Sequence, residues 1–267
     1  MKYIASWSGG KDSTASIILA HEHNEPLDLI IFSEVMFDKS ISGELPEHID
    51  FIKNKCIPLF ESWEYKTNIL HSEKTYLDSF HHIATKGKRI GRKLGFPMSG
   101  KCVINRDCKI KPIKDFFKTV DYEYTQYIGI AVDEPIRLDR VVKSANQISL
   151  LQKYGYTERM AFDLCKKYDL LSPIYDFAPR GGCWFCPNAK DSELRHLRTN
   201  HREYWDTLLW LETQPNLIGD KWNTLTQTSI HGKERQFEWE DRQITIFDYL
   251  KTMNQGGDGG RKCLHYQ

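Results

Sequence analysis

Residues 8–13 read Ser-Gly-Gly-Lys-Asp-Ser, between an apolar run ending at Trp7 and a second apolar run beginning at Thr14. Adjacent glycines cost backbone entropy and build no core, so their use here implies that something approaches the backbone closely. Between a strand and a helix, such a turn presents backbone N–H groups at the positive end of the helix, which suits phosphate oxygens. Ser8 and Ser13 add hydroxyl donors, and Lys11 adds a mobile positive charge. Asp12 offers a carboxylate for Mg²⁺, which usually reaches protein through few carboxylates and the substrate phosphates. The same glycines would equally serve an ordinary strand-to-helix turn.

The second chemical constellation is made of thiols. Of seven cysteines, Cys183 and Cys186 form a Cys-x-x-Cys turn in "GGCWFCPN", shaped by Gly182 and Pro187. Two thiolates at that spacing can share one metal. Cys102 and Cys108 stand in a basic stretch that enters a helix, and supply a second pair. Four thiolates suit a tetrahedral Zn²⁺ or a [4Fe–4S] cluster. A competing set is Cys183, Cys186, His196 and His201, close to a zinc-finger spacing but with a short gap before the first histidine. Cys56 and Cys165 fall on apolar stripes and read as core residues, while Cys263 stands alone near the end of the chain.

These residues need a scaffold. Tyr3–Trp7 reads as a buried strand, Ser13–His23 as the helix leaving the loop, and Leu27–Ser33 as a second strand. Pro46 and Glu47 suit a first helical turn. A later strand is expected over Tyr124–Val132, and a helix after Thr157 as N-cap. Strand, loop, helix, strand, helix begins an α/β unit with a parallel sheet. Beyond Leu171, "SPIYDFAPRGGCWFCPNAK" loses clear periodicity, and one helix is expected over Asp191–Thr213. The expected organisation is a nucleotide-binding α/β domain over 1–171 and a smaller helix-rich, cysteine-containing region over 172–267. Its tail, "NQGGDGGRKCLHYQ", is expected to be mobile.

Composition narrows the class. Hydrophobic residues are 40% and aromatic residues 12% of the 267, enough for a buried core and against disorder. A net charge of +1 leaves any electrostatic footprint local. The clearest local run is Lys86, Lys88, Arg89, Arg92, Lys93 and Lys101, without one acid, abutting Cys102. It is either a solvated loop or a guide for an anionic substrate such as nucleic acid. No apolar stretch reaches membrane-spanning length, and no secretory pattern opens the chain, so a cytoplasmic protein is expected. "GFPMSGKC", residues 95–102, imitates a phosphate-binding Gly-x-x-x-x-Gly-Lys loop. It ends in Cys where Mg²⁺ needs Ser or Thr, contains Pro97, and is expected to follow no strand.

"SGGKDS" after an N-terminal strand resembles the PP-loop of ATP pyrophosphatases, which cleave ATP between the α and β phosphates to adenylate a substrate. "SGELPEHIDFI" (42–52), "KCVINRDCKIKPIKDFF" (101–117) and "GIAVDEPIR" (129–137) are similar to segments of the phosphoadenylylsulfate (PAPS) reductase family. The resemblance covers roughly 1–190 and implies a Rossmann-like, adenine nucleotide alpha-hydrolase-like fold. It implies an ATP site built from Ser8, Gly9, Gly10, Lys11, Asp12 and Ser13, with Lys11 and Asp12 catalytic and Asp133 and Arg137 reaching Mg²⁺ or phosphate. It also pairs the two cysteine segments as one metal site. DNA phosphorothioation sulfur-transfer proteins of this broader group carry an iron–sulfur cluster, which favours [4Fe–4S] over Zn²⁺ here. Two departures set the chain apart from PAPS reductases: its first loop keeps the full Lys-Asp-Ser ending, and the reductases' C-terminal Cys-Gly-x-x-Cys-type tail is not found. The reading implied is ATP-dependent adenylation followed by sulfur transfer, with nucleic acid as acceptor and a sulfur-donor protein as partner. The alternatives are a sulfonucleotide reductase and a non-enzymatic nucleotide-binding module with a structural metal.

Overall fold

The computed structural model describes residues 1–97 and 102–243. The chain opens with β1 (Lys2–Trp7), α1 (Lys11–Glu22) and β2 (Leu29–Glu34). A continuous helical stretch follows: α2 (Pro46–Asp50), a π-helical segment Phe51–Cys56, and α3 (Ile57–Ser62). Next come β3 (Lys66–His71), α4 (Tyr76–Phe80) and the three-residue β4 (Lys93–Gly95). A second π-helical segment, Asn105–Ile110, runs into α5 (Lys111–Thr119), then β5 (Tyr124–Ile128), α6 (Pro135–Val142) and β6 (Gln147–Ile148). The remainder is α7 (Leu150–Lys153), α8 (Glu158–Lys167), α9 (Asp191–Asn200), α10 (Arg202–Glu212), β7 (Leu217–Gly219) and α11 (Ile230–Arg242).

The fold is α/β and Rossmann-like. Five strands form one parallel sheet in the order β3-β2-β1-β5-β6, flanked by helices. Winding proceeds from β1 to β2 and β3 on one side, then returns to β5 on the other. The reversal falls between β1 and β5, at the strand ends where open α/β sheets bind ligands. Alternation along the strands explains the layers. Ala5, Trp7, Ile30, Phe32 and Tyr127 join the core that α1, α8 and the 46–62 helix cover, whereas Ile4 and Ile31 are buried outside that cluster. α1 is buried from Thr14 to Ala20 because β1, β5, α7 and α8 all pack against it. Its residues therefore show little amphipathic contrast.

A second core is shared between distant parts of the sequence. Val35, Phe37, Leu45, Tyr76, Phe80, Phe96 and Ile104 pack with Ile174, Trp184, Phe185, Trp205, Trp222 and Phe237. The segment after Leu171 thus completes its core with side chains from residues 35–108.

Several local expectations change. The expected helix Asp191–Thr213 is two helices, broken at His201, whose φ of −134° and ψ of 62° are not helical. A strand does run into residues 95–102: β4, which pairs in parallel with β7 outside the main sheet. Residues 98–101, including Lys101, and the tail with Cys263 lie outside the described residues. Among the described residues no helix is long and apolar enough to cross a membrane.

Candidate functional site

The loop after β1 is held by its own serines. Ser13 Oγ accepts from the Ser8 N–H (3.1 Å), lies 3.1 Å from Ser8 Oγ and donates to the Gly10 carbonyl (3.0 Å). Gly9 has φ +73°, and a Cβ there would meet Ile52 Cδ1 at 2.6 Å and His48 Cε1 at 2.7 Å. No other residue type fits that turn. Gly10 caps α1 without a side chain, so the start of the helix keeps its N–H groups free of a side-chain cap. One of them, from Lys11, donates to the Tyr175 hydroxyl at 2.8 Å. From the other side, the end of β5 closes in. A Cβ on Gly129 would stand 2.4 Å from the Ser13 nitrogen.

Above this loop lies a cleft of about 200 Å³ lined by Ser8, Gly10, Asp12, Ser13, Gly129 and Arg137, with Glu44, Lys109, Tyr175, Arg180 and Gly181 completing it. Burial raises the Asp12 carboxyl, against the pull of Lys11. Lys11 itself points beside the cleft, its Nζ 2.8 Å from Asp12 and 2.9 Å from Glu158. Burial works against its charge, but those two carboxylates raise its pKa overall. Asp133 accepts from the Glu158 N–H at 3.0 Å and supports the start of α8. Arg137 reaches the cleft while pairing with Glu134.

Sequence reasoning did not single out Lys109, Arg180 or Tyr175. Lys109 sits on the π-helical segment before α5, a distortion frequent at functional sites but without a sequence signature of its own. The Glu44 carboxylate, 3.7 Å away and buried, raises the Lys109 pKa. Arg180 stands just before the Gly181-Gly182 pair that leads into the Cys-x-x-Cys turn, and that proximity is the one signal that could have pointed to it.

A neighbouring cavity of about 330 Å³ is lined by Cys102, Cys183 and Cys186, together with Lys109, Arg180 and Gly181. The Cys-x-x-Cys turn is stitched to the segment after β2. Glu44 and Cys183 form an antiparallel bridge, the Trp184 N–H donates to the Gly43 carbonyl (2.9 Å), and the Cys186 N–H donates to the Cys183 carbonyl (2.9 Å). Cys108 does not line this cavity. It is buried in the same core cluster, and its thiol donates to the Lys74 carbonyl at 3.3 Å. Burial pushes Cys183 well up, raises Cys186, and pushes Cys108 up to about 11. These groups are thiols at neutral pH until a cation displaces their protons.

A zinc ion about 2.3 Å from each of four sulfurs holds them about 3.8 Å apart. No three of the four cysteine sulfurs lie within 4.8 Å of one another. That spacing is wider than a closed zinc tetrahedron, and of the four expected ligands three share the cavity while Cys108 does not. The histidines of the zinc-finger alternative do not turn towards the cysteines: His196 and His201 both meet Glu47. Cys56 and Cys165 are fully buried in the first core, as their stripes predict. No family model, no curated protein and no solved structure matches this chain.

Proposed function

We propose that this chain is a PP-loop enzyme of the adenine nucleotide alpha-hydrolase-like class. In this reading it cleaves ATP to AMP and pyrophosphate to adenylate a substrate for sulfur transfer. The observation that carries this reading is the shared wall: Lys109, Arg180 and Gly181 line both the loop cleft and the cysteine cavity. A phosphate-binding turn at the sheet's switch point thereby adjoins a cluster of thiols. Neither a purely structural metal nor an ordinary strand-to-helix turn calls for that adjacency.

In this mechanism the N–H groups at the start of α1 and the hydroxyls of Ser8 and Ser13 hold the pyrophosphate portion. Lys109, Arg137 and Arg180 offset its charge, joined by Lys11 once its ammonium leaves Asp12 and Glu158. An acceptor oxygen attacks the α phosphorus, the bond between the α phosphorus and the bridging oxygen breaks, and pyrophosphate leaves with the electron pair. Stabilising that developing charge is the main catalytic task. Asp12 is the carboxylate placed to hold Mg²⁺, which when bound neutralises phosphate charge. A sulfur nucleophile then displaces AMP from the adenylated acceptor. Cys102, Cys183 and Cys186, which line the cavity, would hold an iron–sulfur cluster through three thiolates, and Cys108, which now donates to the Lys74 carbonyl, would have to turn to become the fourth ligand. When bound, that group supplies electron-transfer or sulfur-binding capacity beside the cleft. The basic residues of the cleft, with the run from Lys86 to Lys93, favour a nucleic-acid acceptor.

The test is incubation with ATP labelled in its α and γ phosphates, Mg²⁺ and single- or double-stranded nucleic acid. AMP and pyrophosphate are expected. ADP with inorganic phosphate, or no turnover with any acceptor, overturns the reading, and sulfite release from a sulfonucleotide would replace it with reduction.

A further inference from the structure

Glu47, His196 and His201 come together from separate elements. Glu47 sits in the first turn of α2, His196 on α9, and His201 at the break between α9 and α10. Both imidazole Nε2 atoms meet the same carboxylate oxygen, Glu47 Oε1, at 2.7 Å and 2.8 Å. The other oxygen, Oε2, is buried with no hydrogen-bond partner. One ligand atom from each of the three residues lies within 4.8 Å of the others, and no residue of this group is fully buried. The His196 ring is fixed by a face-to-face stack on Phe177, with centroids 3.6 Å apart, and by Asn200 at 3.1 Å from Nδ1.

We propose that these three residues bind one divalent first-row transition-metal cation, independently of the cysteines. Two imidazoles and one carboxylate are the donor set of open zinc and ferrous sites, which keep further positions for water or substrate. The geometry requires little movement. Ligands about 2.0 Å from a tetrahedral ion lie about 3.3 Å apart, so each present contact opens by about half an ångström. A structural clamp needs only one carboxylate oxygen for each imidazole. Here both rings converge on one oxygen, and the second is left buried and unsatisfied, ready to become a ligand or to accept from metal-bound water. Loading requires each ring proton to move from Nε2 to Nδ1, and at His196 the Asn200 N–H that now meets Nδ1 must give way. The break at His201 has a reason in this arrangement: continued helix would not bring that imidazole to Glu47.

The test uses the full chain, stripped with chelator and titrated with Co²⁺ and Zn²⁺. A Cys183→Ser/Cys186→Ser variant should still bind one equivalent of Co²⁺, with visible d–d absorption and no sulfur-to-cobalt charge-transfer band. Glu47→Gln keeps an acceptor oxygen for both ring N–H groups but lacks the anionic ligand. Made in the double cysteine variant, it should lower affinity for the ion by roughly 100-fold and abolish the rise in Tm expected on Zn²⁺ binding to that parent. Should Glu47→Gln fail to fold, His196→Gln takes its place with the same expectation. Unchanged Co²⁺ uptake in these variants overturns the proposal. So does loss of the ion from the double cysteine variant. Neither outcome touches the ATP reading, which is judged by pyrophosphate release.

Discussion

Lys11 shows how much a single side chain can be asked to do. It is held by Asp12 and Glu158 and stands beside the cleft. Reaching a phosphate requires it to leave both the mostly buried Asp12 and the half-exposed Glu158, whose charges the phosphate and its cation must replace. Lys11→Ala should therefore lower pyrophosphate release by roughly 10²–10³-fold, the loss typical of one charge-stabilising donor. It should also destabilise the fold by about 1–3 kcal/mol, because the Lys11 side chain is only 13% exposed and its loss leaves the mostly buried Asp12 carboxylate unpaired. Pyrophosphate assays paired with urea unfolding separate the two effects; full turnover in the variant removes Lys11 from the mechanism. Residue types pointed to Ser8, Gly10, Asp12 and Ser13, and the family resemblance to Arg137; all five line the cleft, whereas Gly9 does not. They did not foretell that Asp133 turns to the start of α8, since a carboxylate's partner is decided by the fold and not by its neighbours in sequence.

At the scale of elements, the tightest joint is the one between the end of β5 and the first turn of α1. Gly129 has backbone atoms of Asp12 and Ser13 where a Cβ would stand, at 2.4–2.5 Å. Gly129→Ala must push the strand end and the helix start apart. It should cost about 2 kcal/mol or more and raise the KM for ATP, because the displaced atoms belong to the loop proposed to hold the pyrophosphate portion. Denaturant midpoints and KM measured together test this; a variant with unaltered KM would mean the loop geometry is not what binds nucleotide. The β1–loop–α1 unit was legible because apolar runs flank a glycine turn, a local pattern with a local cause. The break at His201 was not, since residues 191–213 keep a helical rhythm of leucines and Trp205 throughout. What interrupts that rhythm is a contact with Glu47, far away in sequence. Likewise β3 and β6 are short or partly exposed, and their place in the sheet comes from pairing with β2 and β5 rather than from their own composition.

Across the whole molecule, the two cores divide the structure differently from the change in sequence texture at Leu171. Because Val35, Phe37, Leu45, Tyr76, Phe80 and Phe96 pack against residues 174–237, a fragment ending at residue 171 would expose a large aromatic surface. That surface is of the kind that drives aggregation. The fragment 1–171 should lack a sharp unfolding transition and bind hydrophobic dyes, whereas the full chain should unfold in one cooperative step. Circular dichroism melts of the two chains are the measurement. A fragment with a native-like melt would show that the first core is self-sufficient.

The hydrogen bond between the Lys11 N–H and the Tyr175 hydroxyl joins residues 164 positions apart. During synthesis the loop emerges among the first residues, yet the tyrosine that props it is translated much later, and the core that seats that tyrosine is completed only with Phe237. At typical rates of about 5–20 residues per second, the growing chain therefore spends at least ten seconds or so before that tyrosine can be seated beside the loop. If the loop holds nucleotide as proposed, competence for it is a late event in the life of each molecule, gained only once α11 has left the ribosome.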